Sequence, residues 1–377
     1  MTDSTPERRS RRLLLVAPNW LGDLVMFTPV LERLERLRHA DAPLHVTLAV
    51  RRCWLPLVAE DPRVDALLAV ERSGAHGGVA GLLRLARRWR AGRFDAVLLA
   101  PPSLRVALAA RLAGIPLRVG YRSDARGPLL THGRPVPPRG ERHHSEELLA
   151  LADDVLDALE LAAERPPEGP LKDLSPRLAA VERRPARVPD GGPPLWAVGL
   201  GATYGEAKAW PAQRVAEFLD QAVAVERVRA VLVGTADARV IAAVLRALTP
   251  GLPWRSGLAG GAAVVDLTGR TGLGDLVEVL RGADGFAGND SGPMHVAAAL
   301  GVPTVGVFGS TSPAWTGPRG PRATTVVAEG FPCHPCFRRR CPQERFCLDA
   351  VTGAAVAQRL LQLGARSGRL PARKGET

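Results

Sequence analysis

Lysine is nearly missing from this chain. Its 50 basic residues include Lys172, Lys208 and Lys374, and arginine supplies almost all of the net charge of +12 at pH 7. Aromatic residues are scarce at 5%, and no basic stripe is interleaved with them, so the stacking that grips nucleic acid has no basis and no nucleic-acid partner is expected. Runs of about 18 uninterrupted apolar residues are missing too, so no membrane-spanning helix is expected. The opening MTDSTPERRSRR is polar and basic, without the apolar core of a secretion signal, which predicts a cytoplasmic protein. Cysteine is limited to five residues, an odd count that disfavours a disulfide framework. Four of them, Cys333, Cys336, Cys341 and Cys347, crowd one short span as C-x2-C-x4-C-x5-C. Two readings of that cluster stand open, a structural metal clip and reduced packing thiols.

What the chain does have is length and alternation. At 377 residues and 46% hydrophobic content it exceeds the roughly 250 to 300 residues at which single cores stop growing, so two domains are expected. Short apolar runs at 13–18, 45–50, 65–70 and 95–100 read as strands. They are separated by helical stretches at 24–37, 81–90 and 104–114. The breaker-rich RRPARVPDGGPP interrupts this pattern, which then restarts with strands at 195–200, 230–233, 285–287 and 303–308 and helices at 211–225, 236–248, 273–281 and 293–300. The expected fold class is α/β, two doubly wound Rossmann-like domains. Their boundaries are set at 12–185 and 195–349, with a linker at 186–194 and a C-terminal helix at 350–366. Polar tails at 1–11 and 367–377 are expected to be disordered.

In open α/β sheets ligands sit beyond the carboxyl ends of strands, so the loops after strands carry the argument. The first is APNWLGDLVMFTP, in which Gly22 permits a tight turn and Asp23 stands at the start of a helix. A carboxylate there is suited either to cap the helix or to take a proton from an attacking hydroxyl. The second is GLGATYGEAKAWP, where a rare lysine, Lys208, offers a compact ammonium to a phosphate. Its GxGxxxG spacing is one residue off the dinucleotide fingerprint, and no strand ending in Asp or Glu follows about 20 residues on. The third is GNDSGPMHVAAALGVPTVGVFGSTSP. Asn289, Asp290 and Ser291 precede a helix whose first turn holds Gly292 and Pro293, an arrangement that presents unpaired N–H groups to an anion. His295, four residues after Ser291, returns to the same face. Loops at 235–237 and 268–271 are candidates for meeting a base and ribose.

These three blocks, in this order, resemble the ADP-heptose:lipopolysaccharide heptosyltransferases of glycosyltransferase family 9, and the stretch PCFRRRCPQERFCL points to the branch that extends a core already carrying one heptose. The resemblance runs over about residues 12–360. It implies a GT-B fold, two Rossmann-like domains facing a central cleft, and an inverting transfer of heptose from ADP-heptose to a phosphorylated lipid A-core acceptor. By the family pattern Asp23 is the base and Lys208 holds the diphosphate. Ser291 and Gly292 bind phosphate, while Asp290 and His295 contact the heptose and diphosphate region. Gly22, Thr28 and Thr203, on the same blocks, complete the substrate-binding candidates. Two departures stand out: Ala209 occupies a position where the family carries arginine, and Pro293 one where leucine is common.

Such a transfer needs no cofactor and no catalytic metal, so none is expected. The enzyme is expected at the inner face of the inner membrane as a peripheral protein, with the arginines of LLRLARRWR as candidates for resting on an anionic leaflet. Competing readings keep the donor and change the acceptor, as in a transferase for the first or a third heptose, or keep the fold and substitute nucleotide-sugar epimerisation.

Overall fold

A computed structural model describes residues 10–38, 44–71, 74–161, 175–178, 192–201, 203–235, 238–256, 262–344 and 346–365. The chain divides into two units, Met1–Val181 and Glu182–Thr377. Most of the expected linker, residues 186–191, and nearly all of both expected tails lie outside the described residues.

Unit 1 runs β1 (Arg11–Val16), α1 (Leu21–Arg38), β2 (Leu44–Arg51), β3 (Ala66–Val70), α2 (Gly78–Ala91), β4 (Ala96–Leu99), α3 (Leu104–Ala113), β5 (Leu117–Tyr121), β6 (His132–Arg134) and α4 (His144–Ala158). Its sheet has the order β3-β2-β1-β4-β5-β6, with every pairing parallel. Leu13, Leu14 and Leu15 are successive and all fully buried, the mark of a central parallel strand covered on both faces. Helix α2 shows how the cover is made. Leu82, Leu85, Ala86 and Trp89 turn inward at helical spacing, leaving Arg84, Arg87, Arg88 and Arg90 exposed. The strand order reverses between β1 and β4, which places the loop after β1 at the switch point where doubly wound sheets bind ligands.

Unit 2 repeats the plan with β7 (Leu195–Leu200), α5 (Ala212–Asp220), β8 (Arg229–Gly234), α6 (Ala238–Ala247), β9 (Trp254–Ser256), β10 (Val264–Asp266), α7 (Leu273–Arg281), β11 (Gly285–Asn289), α8 (Gly292–Ala299), β12 (Thr304–Phe308), α9 (Pro313–Thr316), β13 (Ala323–Val327) and α10 (Gly353–Ala365). Its parallel sheet has the order β13-β12-β11-β7-β8-β10-β9. Here the reversal falls between β7 and β11. These strands approach closely at Gly199 and Gly288, where a Cβ on Gly288 would stand 2.7 Å from the Gly199 carbonyl oxygen. Gly199, the first glycine of the near-fingerprint, thus serves strand packing, and the pairing of β7 with β11 brings the loops that follow them side by side. Trp196 stacks on Phe218 at 5.6 Å, and Trp210 meets Phe218 edge-on at 5.9 Å, joining that loop to the core.

Two boundaries differ from expectation in ways that matter. Helix α1 opens at Leu21, so Gly22 and Asp23 lie inside its first turn. The helix expected at 211–225 is α5 followed by a π turn, Gln221–Val225.

Candidate functional site

The residues singled out in the sequence fall into two clusters, one in each unit. In unit 1 the loop after β1 is held by its neighbours. The Asn19 carbonyl accepts from Arg51 Nη1 at 3.0 Å and from Trp54 Nε1 at 3.1 Å, and the Arg51 guanidinium lies 5.6 Å from the Trp54 ring. Asp23, half-buried in the first turn of α1, sits where the positive end of a helix dipole favours a carboxylate.

The sequence reading missed the side chain that accompanies it. His144, at the start of α4, places Nδ1 2.7 Å from Glu147 Oε2. Burial opposes the charge on this imidazole, but the hydrogen bond to Glu147 and the charges of Asp23 and Glu147 outweigh it, so its pKa stands above the ordinary histidine value. Glu147 is fixed in turn by its own backbone, whose carbonyl accepts from the Tyr121 hydroxyl at 2.7 Å; burial pushes that phenol up to about 12. Arg126, fully buried, donates to the carbonyls of Tyr121 (2.8 Å), Leu99 (3.3 Å) and Pro101. It tethers the carboxyl ends of β4 and β5, and burial lowers its pKa to about 10.

Thr28 departs from its expected role as a substrate contact. Pro29 lies inside α1 and, lacking an N–H, leaves the Val25 carbonyl without its helical donor. The Thr28 hydroxyl supplies that bond at 2.8 Å and accepts from the Arg177 N–H at 3.0 Å. With 1% of its surface exposed, Thr28 braces a proline-interrupted helix.

In unit 2 the predicted residues converge around one carboxylate. Asp290 follows β11 directly and is 6% exposed. Its Oδ2 accepts from Lys208 Nζ at 2.6 Å, Thr311 Oγ1 at 2.7 Å and Thr316 Oγ1 at 3.1 Å, and His295 Nε2 lies 3.8 Å from Oδ1. Burial would raise the Asp290 pKa, but His295 and Lys208 together outweigh it and hold the carboxyl far below the usual carboxylate range. Asn289 fastens the neighbouring loop, accepting from the Trp210 N–H at 2.9 Å and donating to the Gly201 carbonyl at 3.2 Å. Lys208 thereby gains a fixed backbone. One of its three donors is directed at Asp290, and its ammonium also lies 4.9 Å from the centre of the Tyr204 ring.

Ser291 takes the N-cap position of α8 in an extended conformation, but its side chain makes no capping bond. Its Oγ is buried without a hydrogen-bond partner. An unsatisfied hydroxyl beside the first N–H groups of a helix, next to Gly292 and with Pro293 in the first turn, is chemically suited to a phosphate oxygen. Thr203 is exposed on the turn after β7 and lies outside the Asp290 network. Of the loops suggested for the base and ribose, residues 236–237 lie outside the described residues. Thr268 N and Oγ1 both donate to Asp266 Oδ1, at 3.0 and 2.6 Å.

The cysteine-rich segment packs against this cluster. Cys333, Cys336, Cys341 and Cys347 are all free thiols. With His334, Ala207, Gly309 and Ser310 among the other walls, they line a cavity of about 20 Å³. Burial and the three neighbouring thiols raise the pKa of Cys347. Among the described residues no three His, Cys, Asp or Glu side chains are grouped as metal ligands.

Comparison with known proteins adds an independent line. The model of glycosyltransferase family 9 (heptosyltransferase) matches residues 82–346. The chain is 31% identical over 325 residues to lipopolysaccharide heptosyltransferase 2 of Salmonella typhimurium, covering 84% of this chain and 87% of that protein. It is 30% identical, with the same coverage, to lipopolysaccharide heptosyltransferase 2 of Escherichia coli K12. Among solved structures, ADP-heptose lps heptosyltransferase II of E. coli matches with a TM-score of 0.71 and 24% identity, over 95% of this chain and 99% of that one. A family 9 glycosyl transferase from Veillonella parvula matches with a TM-score of 0.74 and 22% identity, over 94% and 98%. Both share the fold.

Proposed function

The chain belongs to glycosyltransferase family 9, and from that premise we propose that it is a heptosyltransferase II, moving L-glycero-D-manno-heptose from ADP-heptose onto the heptosyl-Kdo-lipid A inner core with inversion at the anomeric carbon. The observation that carries the reading is the buried Asp290 drawn to Lys208, Thr311 and Thr316 beside the unsatisfied start of α8. Departure of ADP builds negative charge on its β-phosphate. An ammonium already fixed in place, together with oriented N–H groups, stabilises that charge more in the transition state than in the ground state, which is the condition for raising kcat. Ser291 and Gly292 serve the phosphate through hydroxyl and backbone, and His295, 3.8 Å from Asp290 Oδ1, contacts the heptose and diphosphate region. From unit 1, Asp23 takes the proton of the acceptor hydroxyl, with Gly22 beside it in the first turn of α1. No step in this displacement calls for a cofactor.

A phosphorylated lipid acceptor also gives the arginine surplus a use. The exposed arginine face of α2 suits an anionic leaflet, and among the described residues no helix is long and apolar enough to cross a membrane. The proposal therefore includes peripheral attachment at the cytoplasmic side of the inner membrane.

The test is release of ADP from ADP-heptose in the presence of core acceptors truncated before and after the first heptose. Turnover confined to the acceptor that already bears one heptose supports the assignment. Turnover confined to the heptose-free core would move the chain to the first-heptose activity, and ADP-heptose turnover with neither acceptor would overturn the lipid A-core reading.

A further inference from the structure

We propose that Tyr204 is a positioning residue for Lys208, and that it works by docking the lysine-bearing turn onto the cysteine-rich segment. The inference rests on the reading of Lys208 as the ammonium that meets the donor diphosphate. Three observations carry it. The Tyr204 ring centre lies 4.9 Å from Lys208 Nζ and 5.5 Å from Arg339 Cζ. The Tyr204 hydroxyl donates to the Phe337 carbonyl at 2.6 Å. The Ala207 N–H donates to the Arg339 carbonyl at 3.0 Å, and a Cβ on Gly205 would come within 2.5 Å of that same oxygen.

The segment 337–339 reaches the other half of the ion pair as well. The Phe337 N–H donates to the Ser310 carbonyl at 2.7 Å, and the Phe337 ring meets Trp315 edge-on at 5.7 Å. Ser310 precedes Thr311, and Trp315 precedes Thr316, the two hydroxyls that bind Asp290. One short stretch of the cysteine-rich segment therefore braces both the turn that carries Lys208 and the loop that orients its carboxylate.

The chemistry gives this brace a purpose. Asp290 places the ammonium but also neutralises it, which is a poor preparation for receiving a diphosphate. An aromatic face attracts the same cation through its quadrupole and carries no net charge. Tyr204 thus fixes one side of a flexible four-carbon side chain without diminishing the charge available to the leaving group. Its hydroxyl tether keeps the ring, and hence the ammonium, in register with the 310–316 loop.

The experiment is a double-mutant cycle on the full chain, with kcat and KM for ADP-heptose followed by ADP release and the Tm of every variant measured alongside. Tyr204→Leu is expected to lower kcat about tenfold at unchanged Tm, and Tyr204→Phe, which keeps the ring and loses the tether, about threefold. In a Lys208→Ala background both substitutions are expected to have no further effect beyond about twofold, because a residue acting through another gives non-additive losses. Losses that multiply in the double variants, or a Tyr204→Leu variant within about twofold of the unsubstituted enzyme, overturn the proposal while leaving Lys208 in place. A Lys208→Ala enzyme of full activity would remove the lysine's role, and this one with it. If Tyr204→Leu fails to fold, the Tyr204→Phe arm of the cycle decides alone.

Discussion

The two units meet the same problem, a charge held away from water, with different means. In unit 1 the fully buried Arg126 is surrounded by the carbonyls of Leu99, Pro101 and Tyr121, and the half-buried Asp23 stands at a helix start with His144 and Glu147 as charged company. In unit 2 the buried Asp290 gathers a lysine, two hydroxyls and an imidazole. A carboxylate that orients an ammonium is better the more firmly it is ionised and held. The contrast is one of enclosure: Asp290 is buried among a lysine, two hydroxyls and an imidazole, whereas Asp23 is half-buried in the first turn of a helix within reach of the charge of His144.

The sharpest way to break this contrast is to remove each negative charge in turn. Asp23→Asn is expected to lower kcat by about 10²- to 10⁴-fold, the usual contribution of a positioned base, while ADP-heptose binding and Tm stay close to those of the unsubstituted enzyme. Turnover within about tenfold of the parent would take Asp23 out of that role.

Asp290→Asn should act in the opposite manner, through structure first. Removing one partner of a buried ion pair strands the other charge, at a cost of about 3 kcal/mol. The expected result is a lower urea midpoint for the transition seen by Trp196 and Trp210 fluorescence, accompanied by weaker donor use. For pH the sign is fixed by the lowered pKa: the stability Asp290 contributes is present above its ordinary value of 3.8 and is lost only as pH falls through the depressed folded value. The parent should therefore lose unit 2 stability toward acid more steeply than the Asp290→Asn variant. Equal acid slopes would count against the network as a source of stability.

The same contrast explains which parts of the molecule were legible beforehand. Strands β1, β2, β4, β7, β11 and β12 announce themselves because central parallel strands are buried on both faces and read as unbroken apolar runs. Strands β9 and β6, three residues each, carry no such run, and every residue of β9 is exposed. Strand β13 is half-buried throughout, and its threonines gave no contrast with the flanking loops. Helix α4 was missed for a different reason. Its buried positions 148, 149, 151, 152, 155 and 156 are a plain helical stripe, but they follow the proline-rich 135–138, whose breakers read as loop.

At the candidate site the unit 2 residues were legible because they occur in contiguous blocks beside the switch point. What no sequence position shows is direction. Asp290 is expected at the heptose and diphosphate, and its position in the chain does not show that its carboxylate points at Lys208. Thr28 looked like a contact and instead repairs the gap left by Pro29. His144 lies more than a hundred residues from Asp23, so only the packing of α4 on α1 brings it into view.

That packing supplies the mildest test of the comparison. His144 is flanked by Glu147 on its own helix and feels the charge of Asp23 on α1. Because its folded pKa is raised above the ordinary 6.5, the stability it contributes is full below about that pH and disappears as pH climbs through the raised value. His144→Gln should therefore flatten the alkaline decline in stability, by no more than about 1 kcal/mol for a partly exposed pair. If the imidazolium also helps to keep Asp23 ionised, the acidic limb of the kcat profile should move to higher pH in this variant. Asp290, with donors of its own, should leave the acid-side unfolding of unit 2 unchanged. A variant whose acidic limb stays in place would make His144 a structural neighbour of Asp23 and no more, whereas a limb that moves would show the imidazolium of α4 acting on the carboxylate of α1.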